Sequence, residues 1–229
     1  MTTIAISQPL YLPAMVLFNK AVDVDIFVLL DHVQYLKGGF QNRNKVKNPN
    51  GPQWVTVPVL LKGNSYPRIN EVKIDNKQKW AGKHWRAIKA CYENSDYFKD
   101  YSGFFEMLYK KEFNLLRDLD EEIIRYLMKQ FEIKVKIARS SDFNPEGQKN
   151  ELVINICRYF NADTYVSGIG AKAYMDDSLF AKAGIKVEYQ NFVHPMYKQL
   201  FGKFEENMSA IDILFNEGEK SKEIIREAS

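Results

Sequence analysis

The chain has 229 residues, of which 45% are hydrophobic and 27% are charged, a composition typical of ordinary globular proteins. The formal net charge of +3 is too small to indicate a nucleic-acid partner, because such proteins usually carry a basic excess over a whole domain. Aromatic residues make up 14% of the chain, which fits either a large core or a ring-lined ligand pocket.

Targeting and metal-binding signals are missing from the sequence. The first residues carry no cationic leader, and no run approaches the roughly 18 apolar residues of a membrane span. Cys91 and Cys157 fall on predicted apolar helix faces, where we expect reduced core thiols. The three histidines are scattered and no residues have zinc-ligand spacing. We therefore expect a cytoplasmic protein without a structural metal, and the sequence leaves a homo-oligomer open.

The first forty residues predict a strand, a helix and a second strand. Residues 4–6 form a short β-branched run that stops at Pro9, since proline lacks an amide donor. Pro13 suits the first turn of a helix. Residues 25–31 are almost wholly apolar between two acids, which indicates a strand buried on both faces. The pattern predicts a right-handed parallel βαβ unit.

The middle of the chain changes character twice. Gly, Asn, Pro and Lys dominate residues 38–79, interrupted by residues 53–59, which alternate like a half-buried strand. This segment predicts a polar loop followed by β structure. From residue 78 to 130 the apolar period is helical. We interpret this part as a helical insertion at about 78–145.

The last third predicts a return to α/β structure. A helical stripe over 152–160 precedes a strand at 164–167, a glycine turn into a probable helix, and a strand at 185–189. A final apolar helix at 211–217 is expected to end at Gly218. The pattern predicts one α/β domain over residues 1–229, with a parallel-sheet core of the Rossmann or HUP kind and the helical insertion.

Polar residues follow the first two predicted strands and indicate a crevice at the carboxyl edge of the sheet, where ligands of such folds collect. The first strand is followed by Gln8 and Tyr11, although two prolines around a strand end also suit a simple turn. The second strand is followed by a polar run whose alternative is a solvated loop: Asp31, His32, Gln34, Tyr35, Asn42, Arg43 and Asn44.

Two later loops are further candidates. Ser167, Gly168 and Gly170 could bring backbone amides to an anion, but neither nucleotide-binding glycine motif is complete and a tight turn explains them equally well. The loop after the last strand mixes rings with amides, as sugar or base recognition requires, or else covers the core; its candidates are His194, Tyr197 and Gln199.

In combination these segments resemble the WbqC-like protein family over essentially the whole chain. One departure is His32, where family members often carry an acid. The carriers of the resemblance are Gln8-Pro9 with Tyr11-Leu12-Pro13, residues 27–31 with Val33-Gln34-Tyr35, Asn42-Arg43-Asn44, residues 56–59, residues 165–168, Pro195 with Tyr197 and Gln199, and Ser209 with residues 211–218.

The resemblance implies a role in bacterial O-antigen and other surface-polysaccharide synthesis, as a transferase that attaches a glycyl-type amino-acyl or acyl group to a nucleotide-linked amino sugar. Under that hypothesis Asp31 or His32 receives the amine proton, and Arg43 binds a phosphate or carboxylate. The resemblance leaves the activated amino-acyl donor open: ATP with a free amino acid, a thioester or a charged carrier would all fit. The alternative is a sugar- or nucleotide-binding accessory protein that performs no chemistry.

Overall fold

The computed structural model describes residues 1–61, 63 and 66–228. Its strands are β1 (Thr3–Ser7), β2 (Ile26–Leu29), β3 (Arg43–Asn48), β4 (Gly51–Thr56), β5 (Val59–Leu60), β6 (Lys73–Ile74), β7 (Lys136–Arg139), β8 (Thr164–Ser167) and β9 (Lys186–Tyr189). Its α-helices are α1 (Met15–Ala21), α2 (Trp80–Tyr92), α3 (Phe98–Leu108), α4 (Leu116–Gln130), α5 (Lys149–Tyr159), α6 (Asp177–Lys182), α7 (Ile211–Glu217) and α8 (Ser221–Arg226).

A five-stranded parallel sheet organises the fold, in the order β7-β2-β1-β8-β9. Numbered along the sheet's own strands this is 3-2-1-4-5, the order of the first five strands of a Rossmann fold. The α/β parallel-sheet prediction is therefore confirmed. The predicted βαβ unit is confirmed too, since β1 and β2 pair in parallel around α1, with Ile4 opposite Ile26 and Ser7 opposite Leu29.

The central strands β1 and β2 are buried on both faces, since successive side chains of a strand point to opposite sides and each side meets an apolar core. Ala5, Phe27 and Leu29 pack into one apolar core together with α1, α2, α3, α4, α7 and α8. Ile4, Ile6, Ile26 and Val28 face the second core, with α5 and α6. This arrangement explains why both strands are apolar throughout rather than alternating.

Three boundaries differ from the sequence-based expectations. Residues 43–48 form β3, which pairs with β4 in a hairpin. Val46 and Lys47 of this segment are both buried, although the segment looks polar in the sequence. The helical segment ends at Gln130, because residues 136–139 form the edge strand β7 beside β2. After β8 the chain makes a 3₁₀ turn over Ile169–Ala173, and α6 begins only at Asp177.

The predicted glycine stop of α7 is confirmed. Gly218 follows the helix with a φ of 57° and a ψ of −129°, a backbone conformation that residues with a Cβ rarely adopt. The Tyr97 ring packs directly against this glycine, and a Cβ there would lie 2.5 Å from Tyr97 Cδ1. The helix end therefore requires glycine for two independent reasons.

Candidate functional site

A crevice lies where the chain changes direction across the sheet. From the central strand β1 the next strands of the sheet, β2 and β7, lie on one side, whereas β8 and β9 lie on the other. Loops that leave the carboxyl ends of β1 and β8 therefore diverge, which is where open α/β sheets bind their ligands. A cavity of about 360 Å³ opens at this point, within the size range of small-molecule sites.

Polar groups line one side of this cavity, which we call the switch-point cavity. Gln8 follows β1, and its Oε1 accepts a hydrogen bond of 2.7 Å from Gln41 Nε2, so the amide of Gln8 is held in one orientation. Lys149 and Asn150 come from the first turn of α5, where free backbone amides add partial positive charge. The cavity thus offers a cation and several hydrogen-bond donors.

The opposite side of the cavity is apolar. Ile6, Leu30 and Val33 come from the ends of β1 and β2, and Tyr165 and Met175 come from β8 and the segment after it. Apolar walls with a few convergent polar groups are the usual design of a pocket that binds an organic molecule. The arrangement fits a ligand with a ring and an anionic group.

The glycine loop after β8 contributes less than the sequence suggested. Ser167 is buried and its Oγ lies 3.2 Å from Met175 Sδ, which lines the cavity. Gly168 and Gly170 have ordinary negative φ angles, and a Cβ on either would meet no atom within 4 Å. Neither conformation nor space requires glycine at these positions. The wall of the cavity is formed by the following residues, among them Tyr174.

Asp31 is buried in a network of donors beyond the carboxyl ends of β2 and β7. Its Oδ1 accepts from the Ser141 amide (2.9 Å) and Ser140 Oγ (3.1 Å), and its Oδ2 accepts from Arg117 Nη1 (2.6 Å) and Ser141 Oγ (2.7 Å). Burial raises the pKa of this carboxyl, but the hydrogen bonds from Ser141, Arg117 and Ser140 outweigh it, and the pKa falls below its usual value. A carboxylate has about four acceptor sites, and here all four are used. This geometry suits a structural anion better than a base.

His32 has more freedom than its neighbour. Its Nδ1 lies 2.6 Å from Ser140 Oγ, which lies 3.1 Å from Asp31 Oδ1. When Ser140 donates its proton to Asp31, Nδ1 donates to Ser140 Oγ and Nε2 keeps a free lone pair. Desolvation lowers the pKa of His32 and outweighs the attraction of Asp31, so the ring is neutral at neutral pH. In that arrangement His32, and not Asp31, is the predicted base with a lone pair free to accept a proton.

The asparagines around Arg43 hold the β3–β4 hairpin. Asn42 Nδ2 donates to the Val57 carbonyl (2.8 Å) and Asn44 Nδ2 donates to the Leu12 carbonyl (2.7 Å), and both side chains are buried. The Arg43 guanidinium donates to the Gly38 carbonyl and stacks 4.5 Å from the centre of the Trp54 ring. None of the three lines the switch-point cavity.

Three further candidates near the start of the chain also lie outside the cavity. Tyr11 is fully buried, with its hydroxyl 2.8 Å from His84 Nδ1 and 2.6 Å from the Tyr109 hydroxyl. Tyr35 is buried as well, and Gln34 is exposed on a bridge that pairs it with Arg68. Tyr11 thus belongs to the core rather than to a ligand-binding surface.

The last predicted loop packs against α7. Tyr197 Oη donates to Asp212 Oδ2 (2.8 Å), and Gln199 Nε2 donates to the same oxygen (2.9 Å). His194 Nε2 accepts from the Asn207 amide at 3.1 Å. Burial is the main reason that the pKa values of Tyr197 and Asp212 are both raised. These contacts position the loop and do not reach the residues of the switch-point cavity.

The sequence-based site did not include Lys149 and Asn150, which line the cavity, or the three side chains that bind Asp31. A signal for the first two existed, because a helix that precedes a parallel strand begins at the carboxyl edge of the sheet. No residue pattern indicated Arg117, Ser140 or Ser141, which approach Asp31 from distant parts of the chain.

The described residues were compared with the requirements of a metal centre and of a membrane span. The residues described by the structure contain no group of three or more His, Cys, Asp or Glu side chains placed to bind a metal. No helix in that same part of the chain combines the length and apolarity needed to cross a bilayer.

Strand order and crevice together define a doubly wound α/β protein whose switch-point cavity has one polar and one apolar side. The chain belongs to the WbqC-like protein family, whose model matches residues 8–224. It is 33% identical over 228 residues to the uncharacterized protein Rv1507c of Mycobacterium tuberculosis strain H37Rv. The aligned region covers 99% of this chain and 98% of that protein. No solved structure matches the chain.

Proposed function

We propose that this protein binds a nucleotide-linked amino sugar in the switch-point cavity and transfers an amino-acyl or acyl group to the sugar nitrogen, as a step in bacterial surface-polysaccharide synthesis. The observation that carries the proposal is the convergence of Gln8, Lys149 and the first turn of α5 on a cavity of about 360 Å³. Lys149 and the α5 amides would hold a phosphate, and Gln8 and Asn150 would hydrogen-bond sugar hydroxyls.

The reaction forms a carbon–nitrogen bond between the sugar amine and the carbonyl of an activated donor, such as a thioester or an acyl phosphate. The bond from the carbonyl to its leaving group breaks, and the leaving group keeps the electron pair. In this proposal the amine proton passes to His32, which does not itself line the cavity but precedes the lining residue Val33 in the chain. Asp31 and Ser140 position the His32 ring in this scheme.

Binding is tested by calorimetry with dTDP-, UDP- and GDP-linked amino sugars. Removing the cation with Lys149→Met should weaken binding by about 10- to 100-fold, because a charge-assisted hydrogen bond to phosphate contributes about 1.5–3 kcal/mol. Lys182→Met on α6, an exposed lysine outside the cavity, is the matched control and should bind as the unchanged protein does. Failure of every nucleotide sugar to bind would refute the proposal.

Catalysis is tested separately by mass spectrometry of the sugar after incubation with acyl-thioester or with ATP and an amino acid. His32→Ala should lower the turnover by about 100-fold or more while leaving sugar binding intact. The saturated hydrogen bonds of Asp31 favour the second candidate function, a binding protein without chemistry. Tight sugar binding with no product from any donor would establish that alternative.

A further inference from the structure

A second cavity lies on the opposite face of the same sheet, between α1 and the strands β8 and β9. Its volume is about 540 Å³. Thr164, Val166, Lys186 and Glu188 form its floor, while the alternate residues of the same strands point into the core behind them. This face of the two strands is polar, unlike the buried face of β1 and β2.

Lys20 of α1 is the distinctive group in this cavity. Its Nζ donates a hydrogen bond of 2.9 Å to the carbonyl of Ile6, one residue beyond the last pairing of β1 with β8, Ala5 opposite Val166. The side chain is partly buried, and among the described residues no carboxylate forms an ion pair with it. A partly desolvated ammonium without a counter-charge gains stability when an anion binds beside it.

The other charged side chains of the cavity form two ion pairs. Arg226 Nη1 lies 3.1 Å from Asp23 Oδ1, and Lys186 Nζ lies 2.7 Å from Glu188 Oε1. These two pairs cancel, so the charged side chains that line the cavity sum to one positive charge, that of Lys20. Burial lowers the pKa of Lys20 to about 8, so the amine still carries a proton at neutral pH.

We propose that this second cavity is a binding site for an anionic small molecule, whose carboxylate or phosphate group pairs with the Lys20 ammonium. Only one of the three Nζ hydrogens is used by Ile6, and the others are available to ligand oxygens. Thr3 and Asn191 border the same space and add a hydroxyl and an amide. The site lies across the sheet from the switch-point cavity and does not depend on the proposed transferase activity.

The test measures the effect of inorganic phosphate and of succinate on the full chain, with sodium chloride at equal ionic strength as the reference. Either anion should raise the unfolding temperature of the unchanged protein. Because Lys149 is proposed to hold a phosphate in the switch-point cavity, the comparison is made in a Lys149→Met background. There, adding Lys20→Met should abolish the gain, whereas adding Lys182→Met at an exposed lysine outside both cavities should keep it. The anion that raises the unfolding temperature more shows whether the site prefers a phosphate or a carboxylate group.

A second measurement follows Lys20 itself, in case Lys20→Met fails to fold. The ¹³Cε resonance of Lys20 in protein labelled at lysine should titrate near pH 8, and the bound anion should move that pKa upward because it favours the charged amine. An unchanged pKa with both anions, or an equal thermal gain when Lys20→Met is added to the Lys149→Met background, would overturn the proposal. Nucleotide-sugar binding is measured in separate experiments, so either proposal can fail alone.

Discussion

Replacing Asp31 by Asn removes the negative charge that Arg117 faces inside the fold. The new amide group takes the place of Oδ2, which accepts from both Arg117 Nη1 (2.6 Å) and Ser141 Oγ (2.7 Å), so donors would face donors. Breaking a buried ion pair by removing one partner costs about 3–5 kcal/mol. Because the Arg117 side chain is 20% exposed and keeps Asp118 at 3.6 Å, we expect about 3 kcal/mol.

Urea unfolding followed by circular dichroism measures this loss. Asp118→Asn is the matched control, since it makes the same chemical change beside the same arginine at a side chain that is 41% exposed. Exposed pairs contribute little, so this variant should lose less than about 1 kcal/mol. If Asp31→Asn lost no more than the control, the network would not stabilise the fold and Asp31 would again be a candidate base.

The difference in the free energy of unfolding between the unchanged protein and Asp31→Asn should depend on pH with a definite sign. The folded pKa of Asp31 lies below its unfolded value, so its contribution is complete above the unfolded pKa and is lost as the pH falls through the folded one. The stability gap between the unchanged protein and Asp31→Asn should therefore be constant from about pH 7 to pH 5 and shrink toward about pH 3. A gap that widened in acid would contradict the depressed pKa.

Two further predictions concern the core. Gly218→Ala should destabilise the fold by about 2–3 kcal/mol in the same assay, because this residue has a positive φ and contacts Tyr97. Gly103→Ala is the control: it lies in the middle of α3 with open space at its Cβ position, so it should be neutral or stabilising by up to about 1 kcal/mol. Equal effects of the two variants would refute this reading. Burial raises the pKa of Cys91 to about 11 and that of Cys157 to about 12. Neither thiol should therefore react with a disulfide reagent at about pH 8 until the protein is unfolded. Rapid labelling of the folded protein would contradict their burial.

Local sequence pattern was a good guide to the fold wherever one side-chain period governed a segment. The apolar run of β2 and the stripes of α4 and α5 report burial directly, because each residue's face follows from its position in the strand or helix. β3 escaped prediction because its inward residues include Lys47, whose Nζ donates to Gln199 Oε1 and to the Lys203 carbonyl far along the chain. A polar residue satisfied only by distant partners looks like a loop residue in the sequence.

By itself the sequence determined the α/β class, the central βαβ unit, the glycine end of α7 and the family. It also placed Gln8 at the carboxyl end of β1, on the edge where the crevice lies. Only the tertiary structure decided which polar side chains meet there. The acceptor sites of Asp31 are all filled, one of them by Arg117, 86 residues away. Tyr11 points into the core toward Tyr109, whereas Lys149 reaches the cavity with the first turn of α5. The physical reason is that the availability of a polar group depends on which distant donors and acceptors the packed fold brings to it.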